Sequence, residues 1–504
     1  MRTHITSMVK VRKSTILLIS IAFTLALTAC GGGGGGGGTG VSFEPSAATT
    51  TVAAGASIPL AVTVSNSADI SVTWAVTEAN GGTVSLTGVY TAPPTPGTYH
   101  VVATSNANPA VSATRTITVV PLALGAGSSY SGAFANISSM KTARTNSTAT
   151  LLATGRVLLA GGLGNGGVAI NKAEFFNPEA RAFGHFSSSG NMIKARAYHA
   201  ATILMNGTVL VTGGIDNNNI PLASCEIYDP STKTFTATGS MTTPRWMHSA
   251  TLLASGKVLI AGGTNVAPAA SSAIEGNAPL DSAELYDPVT GTFTALKVTL
   301  VQPRYDHTAT LLQNGKLLLV GGQGRFGQKL PDAELYDPVA ASFAATTGNM
   351  LVDPAVDTGR WLFAAIMLRD GSLFVDGGDA GFIAGTPNYL ASGQTYNPVT
   401  DTFTDLAGQM TYARAHHAVA MRVDGNILVA GGIGADVSNP DAIPPADFLN
   451  SAEIFNASTL GFSLTGNLNS ARANHTVTAL ANGKILISGG NQGGVYLKSA
   501  ELYQ

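Results

Sequence analysis

Two adjacent glycines recur seven times along this chain, the first of each pair at Gly161, Gly213, Gly262, Gly321, Gly377, Gly431 and Gly489. An arginine precedes each pair: Arg144, Arg196, Arg245, Arg304, Arg360, Arg414 and Arg472. An acid or amide follows each pair: Glu174, Glu226, Glu284, Glu334, Gln394, Glu453 and Glu501. A period of roughly 50 residues makes each repeat a small supersecondary unit that buries its apolar faces only by stacking on its neighbours. The fourth copy is the plainest. HTATLL, over residues 307–312, reads as a first strand. Asn314-Gly315 supplies a turn whose residues tolerate positive φ. KLLLV then runs into the glycine pair, and AELYDP ends at the Asp337-Pro338 turn. A short strand around Phe343 completes the unit.

Four strands per unit, repeated radially, build a β-propeller. The double glycine, the arginine before the first strand and the small-Glu-aliphatic-aromatic third strand resemble kelch repeats over residues 129–504. The expected fold class is all-β, with a seven-bladed kelch-type propeller. The last unit stops at Gln504, after its third strand. Upstream, Phe134 precedes Met140 by six residues and Arg144 by ten, the spacing of Phe235, Met241 and Arg245. A strand near Phe134 is therefore expected to complete the last unit, closing the ring and removing an open sheet edge.

Residues 1–29 carry Arg2, Lys10, Arg12 and Lys13, no acid, and the run STILLISIAFTLAL, the pattern of an export signal. The run is short for a membrane span. Leu27-Thr28-Ala29-Cys30 resembles the lipobox of bacterial lipoproteins, which implies lipidation of Cys30. Gly31 in place of Asp then implies the outer membrane of a bacterial cell envelope. Residues 30–40, largely polyglycine, read as a flexible tether. Residues 41–121 alternate as short strands and resemble bacterial Ig-like domains, a small β-sandwich expected to act as a spacer around a core plugged by Trp74. Residues 122–128 are a linker. With Cys30 lipidated, Cys225 is the single remaining thiol, so no intramolecular disulfide is expected. Beyond the export signal, 23 basic residues face 29 acidic ones, which disfavours nucleic acid or an anionic membrane surface as a partner. Membrane contact is expected through the lipid alone, and the chain is read as a monomer.

His199, His248, His307, His417 and His475 share one register, three residues after the arginine. A residue serving every unit serves local structure, so they are read as inter-strand bonders and no metal site is assigned. The arginine and glutamate series is read likewise, as ion pairs of the Arg304–Glu334 kind joining first and third strands. Departures from the repeat point to function. The spacing from the second glycine to the third-strand acid is 12, 12, 21, 12, 16, 21 and 11 residues, and Phe343 to Arg360 spans 17. These insertions fall in two loop classes that emerge on one face of an antiparallel unit, where recognition is usually placed. The fifth unit is the most altered, with Phe363 for His, Gln394 for Glu, and Asp376 and Asp379 around its glycines. Asp353, Asp357, Asp376 and Asp379 beside Trp361 form a candidate site for a sugar or Ca²⁺. Trp246 and Tyr305, just after their arginines, are candidate contacts for a glycan or protein.

The galactose oxidase family resembles this chain in joining a seven-bladed kelch propeller to Ig-like modules. That resemblance implies a copper radical oxidase of carbohydrates, built from two His and a Tyr crosslinked to a Cys. Cys225, in ASCEIYDP where neighbouring units have Ser or Ala, reads instead as a small strand residue. Neither Asp-box repeats nor a G-x-S-x-G elbow is present. The function expected is therefore binding of a protein or glycan, without catalytic residues or cofactor. A copper oxidase and a structural envelope component stand as alternatives.

Overall fold

The computed structural model describes residues 38–504, apart from 47–48, 123–129, 181–183, 269–277, 351, 353–358, 384–385 and 438–446. The export signal, Cys30 and the polyglycine through 37 lie outside the described residues, as do Asp353, Asp357, most of the linker and the middles of the longest insertions. Among the described residues the regular structure is β-strand apart from 3₁₀ residues at Arg325–Gly327 and Pro268.

Seven four-stranded antiparallel sheets follow residue 130. Six take their strands in chain order. The seventh combines Phe134–Asn136 with the last three strands, Thr476–Ala479, Ile485–Ser488 and Ala500–Tyr503. Phe134 pairs with Tyr503 and Asn136 with Glu501, the closure that the Phe134 spacing implies. The second strands, such as Val157–Ala160 and Leu317–Val320, are buried at every residue because a neighbouring sheet covers each face. The first strands, such as Thr308–Leu311, are half-buried throughout and lie next to one another around an axis. Apolar clusters fill the spaces between sheets, for example Leu318, Val320 and Phe363 against Leu373, Val375 and Tyr396.

One backbone bond per junction ties the sheets into a cycle. The second glycine of each pair donates its N–H to the next unit's arginine carbonyl, from Gly162 to Arg196 at 2.9 Å onward. The last link runs from Gly490 back to Arg144, at 2.9 Å. The glycines are needed for this approach. Gly161 and Gly162 have φ of 60° and 98°, and a Cβ on Gly161 would sit 2.5 Å from the Arg196 carbonyl oxygen.

Residues 40–120 form three further sheets around their own core. Tyr90, fully buried with its hydroxyl on the Gly81 carbonyl, occupies the centre of that core. Trp74, expected there, lies on the same strand face as Val72 and packs half-buried against that core, beside Phe43.

This domain is fixed to the hairpin turns between first and second strands, rather than spaced from them. Ala53 N–H bonds to the Ala481 carbonyl (2.8 Å), Val62 N–H to Met205 (2.5 Å), and Arg369 Nη2 to the Gly55 carbonyl (3.0 Å). Ala481 and Val423 join its apolar core. Gly55, Ala56 and Ser57 cap a cavity of about 300 Å³ lined by first-strand residues including Ala149, Ile366, Val419 and Val477. These contacts seat the N-terminal domain at the turn end of the first strands.

Candidate functional site

The residues repeated in every unit come first, since their contacts decide which polar groups remain for a ligand. Each arginine is fully or almost fully buried. Arg144 Nη1 donates to the Gly161 and Lys172 carbonyls, both at 3.0 Å, and Nη2 to Glu174 Oε1 at 2.8 Å. Glu174 in turn accepts the N–H groups of Lys141 (2.7 Å) and Thr142 (3.0 Å), pinning the approach to the first strand. The same pair forms between Arg196 and Glu226, Arg245 and Glu284, Arg304 and Glu334, Arg414 and Glu453, and Arg472 and Glu501, at 2.7–2.9 Å. Burial lowers the pKa of Arg304 and Arg414, opposed in each by its glutamate.

The fifth unit moves this charge. Gln394 replaces the glutamate and donates to Asp405 Oδ1 (2.7 Å). Burial drops Arg360 to about 10, and Asp376 and Asp405 hold it up in place of the missing glutamate. Asp376 is wholly buried, with Oδ1 3.2 Å from His417 Nε2. Its place as a candidate ligand contact is thus corrected: it balances Arg360 and joins the fifth unit to the sixth.

The histidines also reach across junctions. His199 Nε2 lies 3.1 Å from Thr148 Oγ1, His248 Nε2 2.8 Å from Thr212 Oγ1, and His307 Nε2 2.9 Å from Ser249 Oγ. Burial, helped by adjacent arginines, depresses His199 and His307 to about 3, so their rings are neutral. Two aromatic candidates are internal as well. Trp246 is buried with Nε1 on the Val266 carbonyl (2.9 Å), and Tyr305 is buried with its hydroxyl on Gln323 Oε1. Both flank short bridges, Trp246 to Thr264 and Tyr305 to Gln323, that join the two loop classes on one face.

Trp361, half-buried, and Asp379, buried at 7% exposure, form the corresponding bridge in the fifth unit, joined through their backbones. Lys329 Nζ lies 4.1 Å above the Trp361 ring, a cation–π contact. Burial raises the Asp379 carboxyl, while the Gly381 N–H (2.6 Å), Lys329 and the Trp361 indole oppose the rise. Lys329 is lowered by burial and supported by Asp379 and Asp306. Asp306 is the member of this group that the sequence reading missed. It sits two positions after Arg304, where no other unit has an acid.

A copper set of the galactose oxidase kind does not fit the residues present. Cys225 is buried in the apolar space between the second and third sheets, its thiol pushed up to about 12 by burial. Tyr286 shares that space, but its hydroxyl is 2.9 Å from Thr238 Oγ1. Among the described residues, no three His, Cys, Asp or Glu side chains gather as a metal site.

Comparison with known proteins bears on the fold. The kelch motif model matches residues 196–242, from Arg196 past Met241. No curated protein matches the sequence. A solved fungal alcohol oxidase of the AA5 family, in complex with copper, is similar at TM-score 0.56 and 18% identity, over 74% of this chain and 75% of that one. The structure of YjhT is similar at TM-score 0.50 and 13% identity, over 66% of this chain and 99% of that one. Together with the seven repeated sheets, the motif match and these likenesses support a kelch-type β-propeller.

Proposed function

We propose that the chain is an exported, lipid-anchored binding protein of the bacterial outer membrane. Residues 41–121 are an Ig-like sandwich, residues 129–504 form a seven-bladed ring, and the ring's loop face binds a protein or glycan without catalysis. One observation carries this reading: the turn face is occupied by the chain's own N-terminal domain, while Trp361, Lys329 and Asp379 stay together on the opposite face. Rigid sheets hold that face while its loops vary, the usual division between scaffold and recognition. The shared fold with the copper-bound alcohol oxidase keeps the oxidase alternative in view, but the setting of Cys225 speaks against it.

The test is retention of envelope proteins or glycans on the immobilised full chain. Trp361→Ala with Asp379→Asn is expected to reduce retention at least tenfold, and Lys257→Gln with Lys316→Gln, beside Asp287 and Asp337 in other hairpin turns, to leave it unchanged. The reverse pattern would place binding on the wrong face in this account.

A further inference from the structure

Two positions after its arginine, every unit holds one residue in left-handed backbone: Asn146, Tyr198, Met247, Asp306, Leu362, His416 and Asn474, with φ of 50–56°. These residues are hydrogen-bonded to one another around the axis. Tyr198 N–H donates to the Asn146 carbonyl, Met247 to Tyr198, Asp306 to Met247, His416 to Leu362, Asn474 to His416, and Asn146 to Asn474, at 2.9–3.2 Å. The seventh link, between Leu362 and Asp306, is not made. The ring precedes the first strands, whose far ends meet the N-terminal domain, so it encircles the other mouth of the channel.

The side chains of this ring converge. Tyr198 bonds to Asn146 and feels the charge of Asp306 across the mouth, and His416 bonds to Asn474. All seven residues are half-buried. Asp306 is the one acid among them, and it stands at the open seam. Its Oδ2 is shut off from solvent yet accepts no hydrogen bond. Burial raises the carboxyl to about 6, and Lys329 only partly offsets this, the expected state of a carboxylate short of donors. A buried acceptor left unmade is costly, so a ligand that supplies donors there gains what the free protein lacks.

We propose that the Asp306–Leu362 seam is a saccharide site, with Asp306 accepting from adjacent hydroxyls of a neutral sugar and Lys329 donating to a sugar oxygen. This rests on the loop-face reading above. The chemistry selects a neutral polyol. Asp306 and Asp379 oppose an anion, and Lys329 opposes a cation. The seven repeat arginines, buried in their own units, offer an anion nothing. Tyr198 and Trp361 add aromatic surface at the rim, and the neutral His416, lowered to about 4 by burial, adds no charge.

The test is calorimetric titration of the full chain in detergent with neutral malto-, cello-, manno- and chito-oligosaccharides. At least one series is expected to bind, with affinity falling tenfold or more in Asp306→Ala and Lys329→Gln and unchanged in Lys257→Gln. Asp306→Asn keeps the side-chain shape, so the carboxylate is still tested if the alanine variant folds poorly. Binding that survives all three seam substitutions overturns the seam assignment. Absence of binding by the unaltered protein overturns the saccharide inference. If a protein partner is then still lost in Trp361→Ala, the loop-face reading stands without it, and if none is found both fail.

Discussion

Glu453→Ala is expected to destabilise the propeller by about 3–5 kcal/mol, because it leaves a buried arginine without its counter-charge. Glu453 Oε1 accepts from Arg414 Nη2 at 2.8 Å, and neither side chain is exposed. The same carboxylate accepts the N–H groups of Thr411 (2.8 Å) and Tyr412 (3.1 Å), so the substitution also frees two backbone donors. Arg414 keeps its bonds to the Gly431 and Ser451 carbonyls, at 2.8 and 3.1 Å. These hold the guanidinium in place and prevent its escape to water. The double variant Arg414→Met/Glu453→Leu is expected to lose less than the summed single losses, since it removes both charges. Urea unfolding of the unaltered protein, Glu453→Ala, Arg414→Met, Glu453→Leu and the double variant makes the comparison. A loss below about 1 kcal/mol in Glu453→Ala would contradict the assignment. The fifth unit is the natural control: Gln394 is accommodated there because Asp376 and Asp405 stand near Arg360.

The second large effect concerns closure of the ring. Ending the chain after Phe462 removes three of the four strands of the last sheet and leaves Phe134–Asn136 without its partner. Phe134–Asn136 would then be an unpaired strand, and the two flanking sheets would each expose one face of an apolar packing layer. The shortened protein is expected to be aggregated or unfolded rather than a trimmed propeller. Tyr503→Ala tests the same joint more gently. Tyr503 is 1% exposed, with ring centroids 4.9 Å from Phe134 and 5.3 Å from Tyr130. Its loss is expected to cost about 3–5 kcal/mol, in line with other buried aromatic truncations. A soluble truncated chain with an unchanged melting temperature would show that the terminal strands do not close the ring.

The fold was legible in the sequence because its determinants recur at fixed spacing. Glycine pairs and arginines appear once per unit and third-strand glutamates in six of the seven, and each makes the same contact in nearly every unit that has it. The Phe134–Met140–Arg144 spacing was enough to find the closing strand. The candidate site was legible only in part. Trp246 and Tyr305 were picked as aromatic and near the arginines, but that position carries the bridge between the two loop classes, which buries them. Asp376 was picked as a departure from the repeat; it is one, but it answers a second departure, Gln394, a pairing that spans three strands and is invisible along the chain. Asp306 was hidden by its register. The residue at that position varies from unit to unit in chemistry, and its left-handed backbone, shared by all seven, is not written in residue type. Docking of the N-terminal domain onto Ala481, Met205 and Arg369 rests mainly on backbone carbonyls, which leave no sequence pattern.

The most direct test of the account is the metal content of the full chain, measured by mass spectrometry before and after exposure to Cu²⁺ in air. A binding propeller with Cys225 sealed between its second and third sheets is predicted to hold no stoichiometric copper and to gain no visible absorption band. One tightly held copper per chain, with a new radical band, would contradict the account and make the protein an oxidase.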